Sequence, residues 1–547
     1  MRYLTSHRVL GESLQIGMAT GSMPPAVLRP ELGESATVSL ELVQRFDIGS
    51  LHLLLAPHSA SWVLLDSSEL AVADDARGSS LEEICALHPD LDASAIKEFY
   101  VHLYQRGLLR VDGEPGLDPD ILRDGALFRE ANLVEILVTQ KCNLACLYCL
   151  AEAGPDMPHL HPEIAHRAVD EAFDLPEDRP LAIQLSGGEP FVNWRLFKEL
   201  VLYIKEKQRT LGRAATICTQ SNGTLITDEI ARFLKAQDVG IGVSIDGPPY
   251  LNNRSRPLLG GGASHERTLR GIRVLQQHGF NFGTILVLNR MNVRHPEEIA
   301  DFMVELGIKS TKINPISLIG DAQSTWDEMA ITTDEYFEFL DRFATHIVDK
   351  DLRLREANLA EYLKYLTFRA HDYRCMRSNC GAGSSFFLVD AKGDVYPCAH
   401  SAGIPEWRIG TVDEANGDLR QLGERNPIVT QFRNRLVEQI ATTKRCPWRH
   451  LCEGGCAVNA YQKFGTILAP DVLCSFYERW YPRLLEWLTT NPGRFQQLLD
   501  VMLGKGQTEV VSVELFGQTR RPTSPIEEGR WQHIGRYHAL ADSESSH

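Results

Sequence analysis

The sequence predicts an α/β protein built on a partial (β/α)6 barrel, with a winged-helix-like domain before it and a cysteine-rich domain after it. Three observations lead there. Apolar strand-like runs alternate with amphipathic helical stretches six times in the middle of the chain. Polar and glycine-rich motifs follow those runs at one relative place. The cysteines fall into two groups, one just behind the first apolar run and one beyond the alternation. The expected domains are a lead-in over 1–35, the winged-helix-like unit over 36–125, the barrel over 126–370, the cysteine-rich domain over 371–480, and a helical stretch with a polar tail over 481–547.

Composition sets outer bounds. At 547 residues the chain is too long for one ordinary core. Its 43% hydrophobic and 23% charged residues are those of soluble globular proteins. A net charge of −16 argues against a nucleic-acid binder, which needs a basic face to neutralise phosphates. No apolar run is long enough to span a membrane. Met1–Gly17 lacks the apolar core of a signal peptide, so cytoplasm is the expected location. The 12 cysteines fall in short, metal-like spacings, which in a reducing compartment indicate metal ligation rather than disulfides.

After a weakly patterned lead-in, Leu51–Ala56 and Ser61–Leu65 read as a hairpin about the Pro57–Ser59 turn. Ser80-Leu81-Glu82-Glu83 is a capping box that opens a short helix. Ile96, Phe99, Tyr100 and Leu103 share one face of the next helix, which Gly107 ends, and Leu108–Val111 reads as a closing strand. Cys85, without cysteine neighbours, reads as core.

The barrel strands are expected at Leu133–Val138, Leu181–Leu185, Ala215–Thr219, Ile241–Ile245, Asn281–Leu288 and Ser310–Ile313. Helices are expected at Pro162–Phe173, Trp194–Gln208, Asp228–Gln237, Glu266–His278 and Pro296–Leu306. Cys142, Cys146 and Cys149 follow strand one, Ser186-Gly187-Gly188-Glu189-Pro190 strand two, Gln220-Ser221-Asn222-Gly223 strand three and Asp246-Gly247-Pro248 strand four. Asn289 and Asn314-Pro315 end strands five and six. Strand C-termini are where α/β barrels of the TIM-like kind build active sites. Gly187 and Gly188 let backbone approach a ligand, and Glu189 adds an acceptor. Asn222 is suited to a turn or to a ribose hydrogen bond. Cys218, inside strand three, reads as core.

Three thiols in a C-x3-C-x2-C spacing can hold three corners of an iron–sulfur cube and leave the fourth iron open. A structural zinc site is the rival, with His159 and His161 as the nearest imidazoles, and three buried free cysteines are the third option. Seven more cysteines follow: Cys375, Cys380, Cys398, Cys446, Cys452, Cys456 and Cys474. Gly393–Cys398 reads as a hairpin strand ending on a ligand. Phe476–Leu488 and Gly493–Leu503 read as helices, and Thr519–Pro525 and Asp542–His547 as flexible tail.

Taken in order, these motifs resemble the radical S-adenosylmethionine (SAM) superfamily. The resemblance implies a [4Fe–4S] cluster on Cys142, Cys146 and Cys149 whose open iron chelates SAM, and reductive cleavage of SAM to a 5′-deoxyadenosyl radical that abstracts a substrate hydrogen. It places Tyr148 near the adenine and the segment Gly187, Gly188, Glu189 and Pro190 at the SAM amino group. Ser244 and Asp246 would contact the ribose and methionine parts, and Arg256 the carboxylate, as a bidentate guanidinium can. Asn252 and Asn253 stand where many relatives carry His and Asp.

The later cysteines resemble the SPASM domain, a twin iron–sulfur extension. That implies one auxiliary [4Fe–4S] cluster on Cys375, Cys380, Cys398 and Cys456 and a second on Cys446, Cys452 and Cys474, with Thr443 where the family has a further Cys. The N-terminal unit resembles the recognition elements of ribosomal-peptide (RiPP) maturases, which capture a leader peptide as an added strand; an accessory winged helix is the plain alternative. Together the three units resemble maturases related to anaerobic sulfatase maturases. The resemblance implies a precursor peptide as substrate, an electron donor such as flavodoxin or ferredoxin, and a C–C, C–O or thioether crosslink as product. The rivals are a formylglycine-generating sulfatase maturase, for which Ala399 stands where an Asp is expected, a small-molecule oxidase, an electron carrier and a zinc scaffold. No catalytic base is singled out among His371, Asp372 and His400.

Overall fold

The structure, a computed structural model, describes residues 2–5, 32–41, 43–57, 61–105, 107–116, 132–177, 179–368, 375, 380–415, 417–440, 446–504 and 513–514. Within them the chain is mixed α/β, and its strands form three sheets.

The N-terminal strands are β1 (Arg2–Thr5), β2 (Thr37–Leu40), β3 (Gln44–Ile48), β4 (Leu51–Ala56), β5 (Ser61–Leu65), β6 (Arg77–Ser80), β7 (Leu109–Val111) and β8 (Glu114–Pro115). The hairpin read from sequence is β4–β5. Both of its faces are buried. Leu53, Leu55, Trp62 and Leu64 join the main core, whereas Leu54, Ala56, Val63 and Leu65 join a smaller core with Ile84, Ile96, Phe99, Tyr100 and Leu103. Burial on both sides is why β4 and β5 read as continuous apolar runs rather than alternating ones. The sheet is anchored to the rest of the chain by Trp62, whose indole N–H donates to the Leu366 carbonyl at 2.9 Å, and by Phe46, which stacks on Trp448 at 5.9 Å.

Besides β2, β3, β6 and β8, two further elements here lie outside the sequence expectations. The lead-in contains β1, which pairs with β5 through Leu4↔Leu64 and Thr5↔Val63. In turn, β1 pairs with a two-residue strand near the other end of the chain, Val513–Glu514. The second element is a helix, Ser67–Asp74, opened by a reciprocal capping box between Asp66 and Glu69.

Glu69 is fully buried, and burial pushes its carboxyl up to about 8. One oxygen accepts the Asp66 amide at 2.8 Å, and the other has no hydrogen-bond partner. The folded state therefore holds a proton that the unfolded chain releases near the ordinary carboxylate value. Stability contributed by the neutral group is intact at or below pH ~4 and is lost as pH rises towards 8. Glu69→Gln keeps the shape and one acceptor without a titrating proton. It is expected to stabilise the fold at pH 8 by on the order of 2–4 kcal/mol, seen as a higher urea midpoint whose advantage shrinks towards pH 5.

The central sheet holds β9 (Asn132–Thr139), β10 (Leu181–Gly187), β11 (Ala215–Ser221), β12 (Val239–Ser244), β13 (Thr284–Leu288), β14 (Ser310–Pro315) and β15 (Arg355–Glu356), neighbours in that order and all parallel. The six strands expected from sequence are β9–β14, within one to three residues at each end. The five expected helices lie between them, at Pro162–Phe173, Trp194–Leu211, Asp228–Ala236, His265–Gln277 and Pro296–Glu305. Buried Leu196, Phe197, Leu200, Val201 and Ile204 along the second of them show the helical spacing that marked it in sequence.

On the other edge of β9 the sheet continues with β16 (Phe386–Val389), parallel to β9, and then antiparallel β17 (Asp394–Tyr396) and β18 (Gly410–Thr411). The hairpin expected to carry Cys398 is thus an extension of the central sheet, beside the strand that leads into the Cys142 loop. The helices Cys474–Thr490 and Pro492–Leu503 close the main core, each slightly longer than read from sequence. Among the described residues no helix is long and apolar enough to cross a membrane. The two tail segments, the 58–60 turn and Thr443 lie outside the described residues.

Candidate active site

Parallel strands bring their C-terminal ends to one edge, and the chain uses that edge to knot four loops together. The Gly187–Gly188 turn folds back on the cysteine loop: the Gly188 amide donates to Thr139 O and the Glu189 amide to Lys141 O, both at 2.9 Å. A Cβ on Gly187, at φ +157°, would stand 2.2 Å from Thr139 O, and one on Gly188 2.5 Å from Lys141 O. Only glycine fits this approach. From the far side, the Asp321 amide donates to Cys149 O at 3.0 Å, and Gly320 sits where a Cβ would lie 2.2 Å from the same oxygen.

The side chains expected at a ligand also hold this knot. Buried Glu189 accepts the Ser221 hydroxyl at 2.9 Å and the Phe191 amide at 3.3 Å on one oxygen, and the Asn222 amide at 2.7 Å on the other. Burial raises its carboxyl to about 7 against the pull of those donors. Asn222 accepts Thr224 N–H and O–H, and its amide donates to Asn143 at 2.9 Å and towards Cys142 Sγ at 3.8 Å. The Leu144 amide reaches the same sulfur at 3.4 Å. Asn222 thus serves both as the turn foreseen in sequence and as an N–H donor beside a thiol. Asn143, inside the cysteine loop, and Ser221 are parts of the site that the sequence reading passed over.

A second layer surrounds Asp246, which is fully buried. One oxygen accepts the Val287 amide at 3.1 Å, and the other accepts the Ser255 hydroxyl at 2.7 Å and the Tyr148 hydroxyl. Arg256 donates to Tyr148 Oη at 2.8 Å and stands 3.8 Å from Asp246. Burial works against the guanidinium charge, but Tyr148, Cys146 and Asp246 outweigh it and keep Arg256 firmly protonated. The two asparagines that replace the expected His and Asp have work of their own. Asn252 accepts the Asp246 amide at 3.0 Å, and Asn253 accepts the amides of Ser264 and His265, both at 3.0 Å, at the start of the next helix. Ser244 accepts the Gln220 amide at 3.0 Å. Pro190 is buried at the first turn after Glu189.

The thiols themselves carry the test of fit for a cluster. Burial pushes Cys142 up to about 11 and Cys146 to about 12, and raises Cys149 as well. At neutral pH such thiols stay protonated unless a cation takes the proton's place, and iron does so outright. The three couple electrostatically to one another, and Arg256 lowers all three. They fit a cluster. Among the described residues no group of three or more His, Cys, Asp or Glu side chains closes on a point at single-ion distances. His159 pairs through its backbone with Thr139 in an isolated β-bridge. Cys218 lies on β11 with Sγ 4.0 Å from Gln184, and Cys85 packs against the N-terminal core.

The later cysteines couple electrostatically in two groups. Burial, then the charges of Cys380 and Cys375, push Cys398 up to about 12, and burial, Asp471, Cys398 and Cys375 raise Cys456. Cys380, Cys398 and Cys456 also pack on one small core with Trp407 and Phe432. Separately, Cys446 and Cys474 raise Cys452. The turn joining the sets, Glu453-Gly454-Gly455, runs through three positive-φ residues. Buried Arg435 holds it by donating to the carbonyls of Gly454 at 2.9 Å, Gly455 at 3.1 Å and Ile467 at 2.8 Å. A Cβ on Gly455 would lie 2.3 Å from Asp471 Oδ2, the oxygen that receives the Cys456 amide. Gly455→Ala is expected to cost about 2–4 kcal/mol through strain and that lost bond; iron content and a thermal melt check it. Burial holds His400 below the usual imidazole range, while His371 and Asp372 lie outside the described residues.

With the geometry in place, comparison with known proteins defines the class. Residues 136–303 match the Radical SAM superfamily, so the chain carries a radical SAM domain. It is similar to the AdoMet-dependent heme synthase of Nitratidesulfovibrio vulgaris, 28% identical over 378 residues covering 66% of this chain and 96% of that protein. It is also similar to the serine-type anaerobic sulfatase-maturating enzyme of Bacteroides thetaiotaomicron, 23% identical over 348 residues covering 59% and 81%. In fold it resembles native anSMEcpe with bound AdoMet, at TM-score 0.57 and 19% identity over 67% of this chain and 99% of the other. Streptococcus suis SuiB bound to precursor peptide SuiA matches at TM-score 0.50 and 15% identity, over 81% and 99%.

Proposed function

We propose that this protein is a radical SAM enzyme that abstracts a hydrogen from a ribosomally made precursor peptide and installs an oxidative crosslink, C–C, C–O or thioether. The observation that carries the reading is the convergence of three half-buried thiols, the glycine turn, Asn222 and the protonated Arg256 at one end of a parallel sheet. Cys142, Cys146 and Cys149 would hold the [4Fe–4S] cluster, which supplies the electron that splits SAM into methionine and the hydrogen-abstracting 5′-deoxyadenosyl radical. The chain's own residues position and shield. Asn222 and the Leu144 amide direct N–H groups at Cys142, which favours the thiolate. Arg256 supplies a fixed positive charge beside the thiols and an anchor for the SAM carboxylate. Tyr148, Ser255 and Val287 occupy the oxygens of Asp246, so in this reading Asp246 fixes Arg256 and Tyr148, with Ser244 nearer the ribose.

A peptide substrate is supported by two features. The N-terminal sheet already accepts a short antiparallel strand, β1, on the edge of β5, the way an extended peptide would add. Relatives in sequence and fold include sulfatase-maturating enzymes and SuiB bound to a precursor peptide. In this reading the fold is a partial barrel with a recognition element and a SPASM domain. Cys375, Cys380, Cys398 and Cys456 hold one auxiliary cluster, and Cys446, Cys452 and Cys474 a second. The auxiliary clusters would supply a sink for the electron left after bond formation, and a flavodoxin- or ferredoxin-like protein of the cytoplasm would be the electron donor for the SAM cluster. Anaerobic incubation of the reconstituted enzyme with SAM, a reductant and a short peptide encoded beside its gene tests this. A peptide lighter by two hydrogens, with no fragments between two linked residues, is expected. Conversion of one Ser or Cys to formylglycine would replace this reading with the sulfatase-maturase one.

A further inference from the structure

Three thiols without a fourth set the second cysteine group apart. Cys446, Cys452 and Cys474 line one partly open pocket, together with Arg449, Asp471 and Glu478. Three thiolates on a four-iron cube leave one iron without a protein ligand. Two carboxylates face this cavity, and they differ. Asp471 is buried and committed, with Oδ2 accepting the Cys456 amide at 2.8 Å and Oδ1 the Leu473 amide at 3.3 Å. Glu478 makes no hydrogen bond or ion pair among the described residues. It lies four residues after Cys474 on the helix Cys474–Thr490, hence on the same helical face, at the solvent-facing mouth of the cavity. One free carboxylate thus lines the same pocket as the three thiols.

We propose that Glu478 is the fourth protein ligand of the second auxiliary cluster, its carboxylate closing the iron that Cys446, Cys452 and Cys474 leave open. The inference rests on the reading that these three cysteines hold a cluster. An oxygen donor is harder than thiolate and suits iron less tightly. The iron under Glu478 is therefore the one that exchanges ligands, and its carboxylate is the group an incoming substrate atom or anion would displace.

The test uses the full-length protein with Cys142, Cys146 and Cys149 changed to Ala, which removes the SAM cluster and leaves the auxiliary ones. Cyanide is the probe, read by electron paramagnetic resonance of the reduced protein and by iron content after mild ferricyanide oxidation. In the Glu478→Gln variant the spectrum is expected to shift at cyanide concentrations at least about tenfold below those the parent needs. That variant should also lose one iron per chain on oxidation and show a three-iron signal, while the parent keeps its iron. Glu478→Cys should restore both the iron and the resistance to cyanide. Identical responses of parent and Glu478→Gln would overturn the assignment of Glu478. If Cys452→Ala changes neither iron content nor spectrum in a protein that still melts cooperatively, no second cluster exists and the underlying reading falls with it.

Discussion

The Cys146→Ala protein is expected to retain its fold and its auxiliary iron, to lose about four irons per chain, and to release 5′-deoxyadenosine at least about a thousandfold more slowly than wild type. A thousandfold corresponds to about 4 kcal/mol of barrier, which is modest for removal of a group that acts as one unit with its neighbours. Fold retention follows from where the loop sits. Cys146 lies in the loop after β9, held by backbone bonds from Ala145 and Leu147 to the carbonyls of Pro257 and Ser255, and the thiol itself supports no strand. An apolar side chain also removes a buried ionisable group whose thiol burial already pushes up to about 12. Circular dichroism, iron analysis and chromatography of the SAM cleavage products check the three parts separately. Loss of all iron, rather than the share of one cluster, would mean that the cysteine groups are not independent.

Substitution of Arg256 is expected to act on both stability and SAM binding, and the two effects separate by choice of variant. Arg256→Met removes a buried cation from beside buried Asp246 and leaves Tyr148 without its donor. Breaking a buried pair in this way costs about 3–5 kcal/mol, so a large fall in melting temperature is expected. Arg256→Lys keeps the charge but not the planar fork. Its melting temperature should stay near wild type, while its SAM dissociation constant rises by about tenfold or more, the effect of losing one to two kcal/mol of a bidentate contact. Equal SAM affinity in Arg256→Lys and wild type would remove Arg256 from the SAM carboxylate and leave it a packing residue.

Much of the fold was legible because β9 is an almost fully buried apolar run, β10 to β14 bury alternate residues, and the helices between them carry a 3.6-residue stripe. The positions of β9 to β14 follow from that alone. The site was legible where glycine or cysteine has no substitute, as at Gly187, Gly188 and the three clustered thiols. What stayed hidden depends on partners far away in sequence. The parallel docking of Phe386–Val389 on β9 is a register between segments some 250 residues apart and leaves no local mark. The pairing of β1 with β5 involves two residues on each strand, too few for a period. The Ser67–Asp74 helix buries little apolar surface of its own and is announced only by Asp66 and Glu69. Asn143 and Ser255 carry no local signal; their roles exist only because Asn222 and Asp246 arrive beside them.

The account's central claim is that a radical made at the Cys142–Cys149 loop reaches a carbon of a peptide. The most direct measurement is isotope transfer. A precursor peptide encoded beside the gene would be made with deuterium at every C–H position and incubated with enzyme, SAM and reductant, and the 5′-deoxyadenosine analysed by mass spectrometry. The account predicts deuterium in the 5′-deoxyadenosine, in proportion to crosslinked peptide formed. Crosslinked peptide accompanied by unlabelled 5′-deoxyadenosine, with every peptide C–H position deuterated, would contradict it.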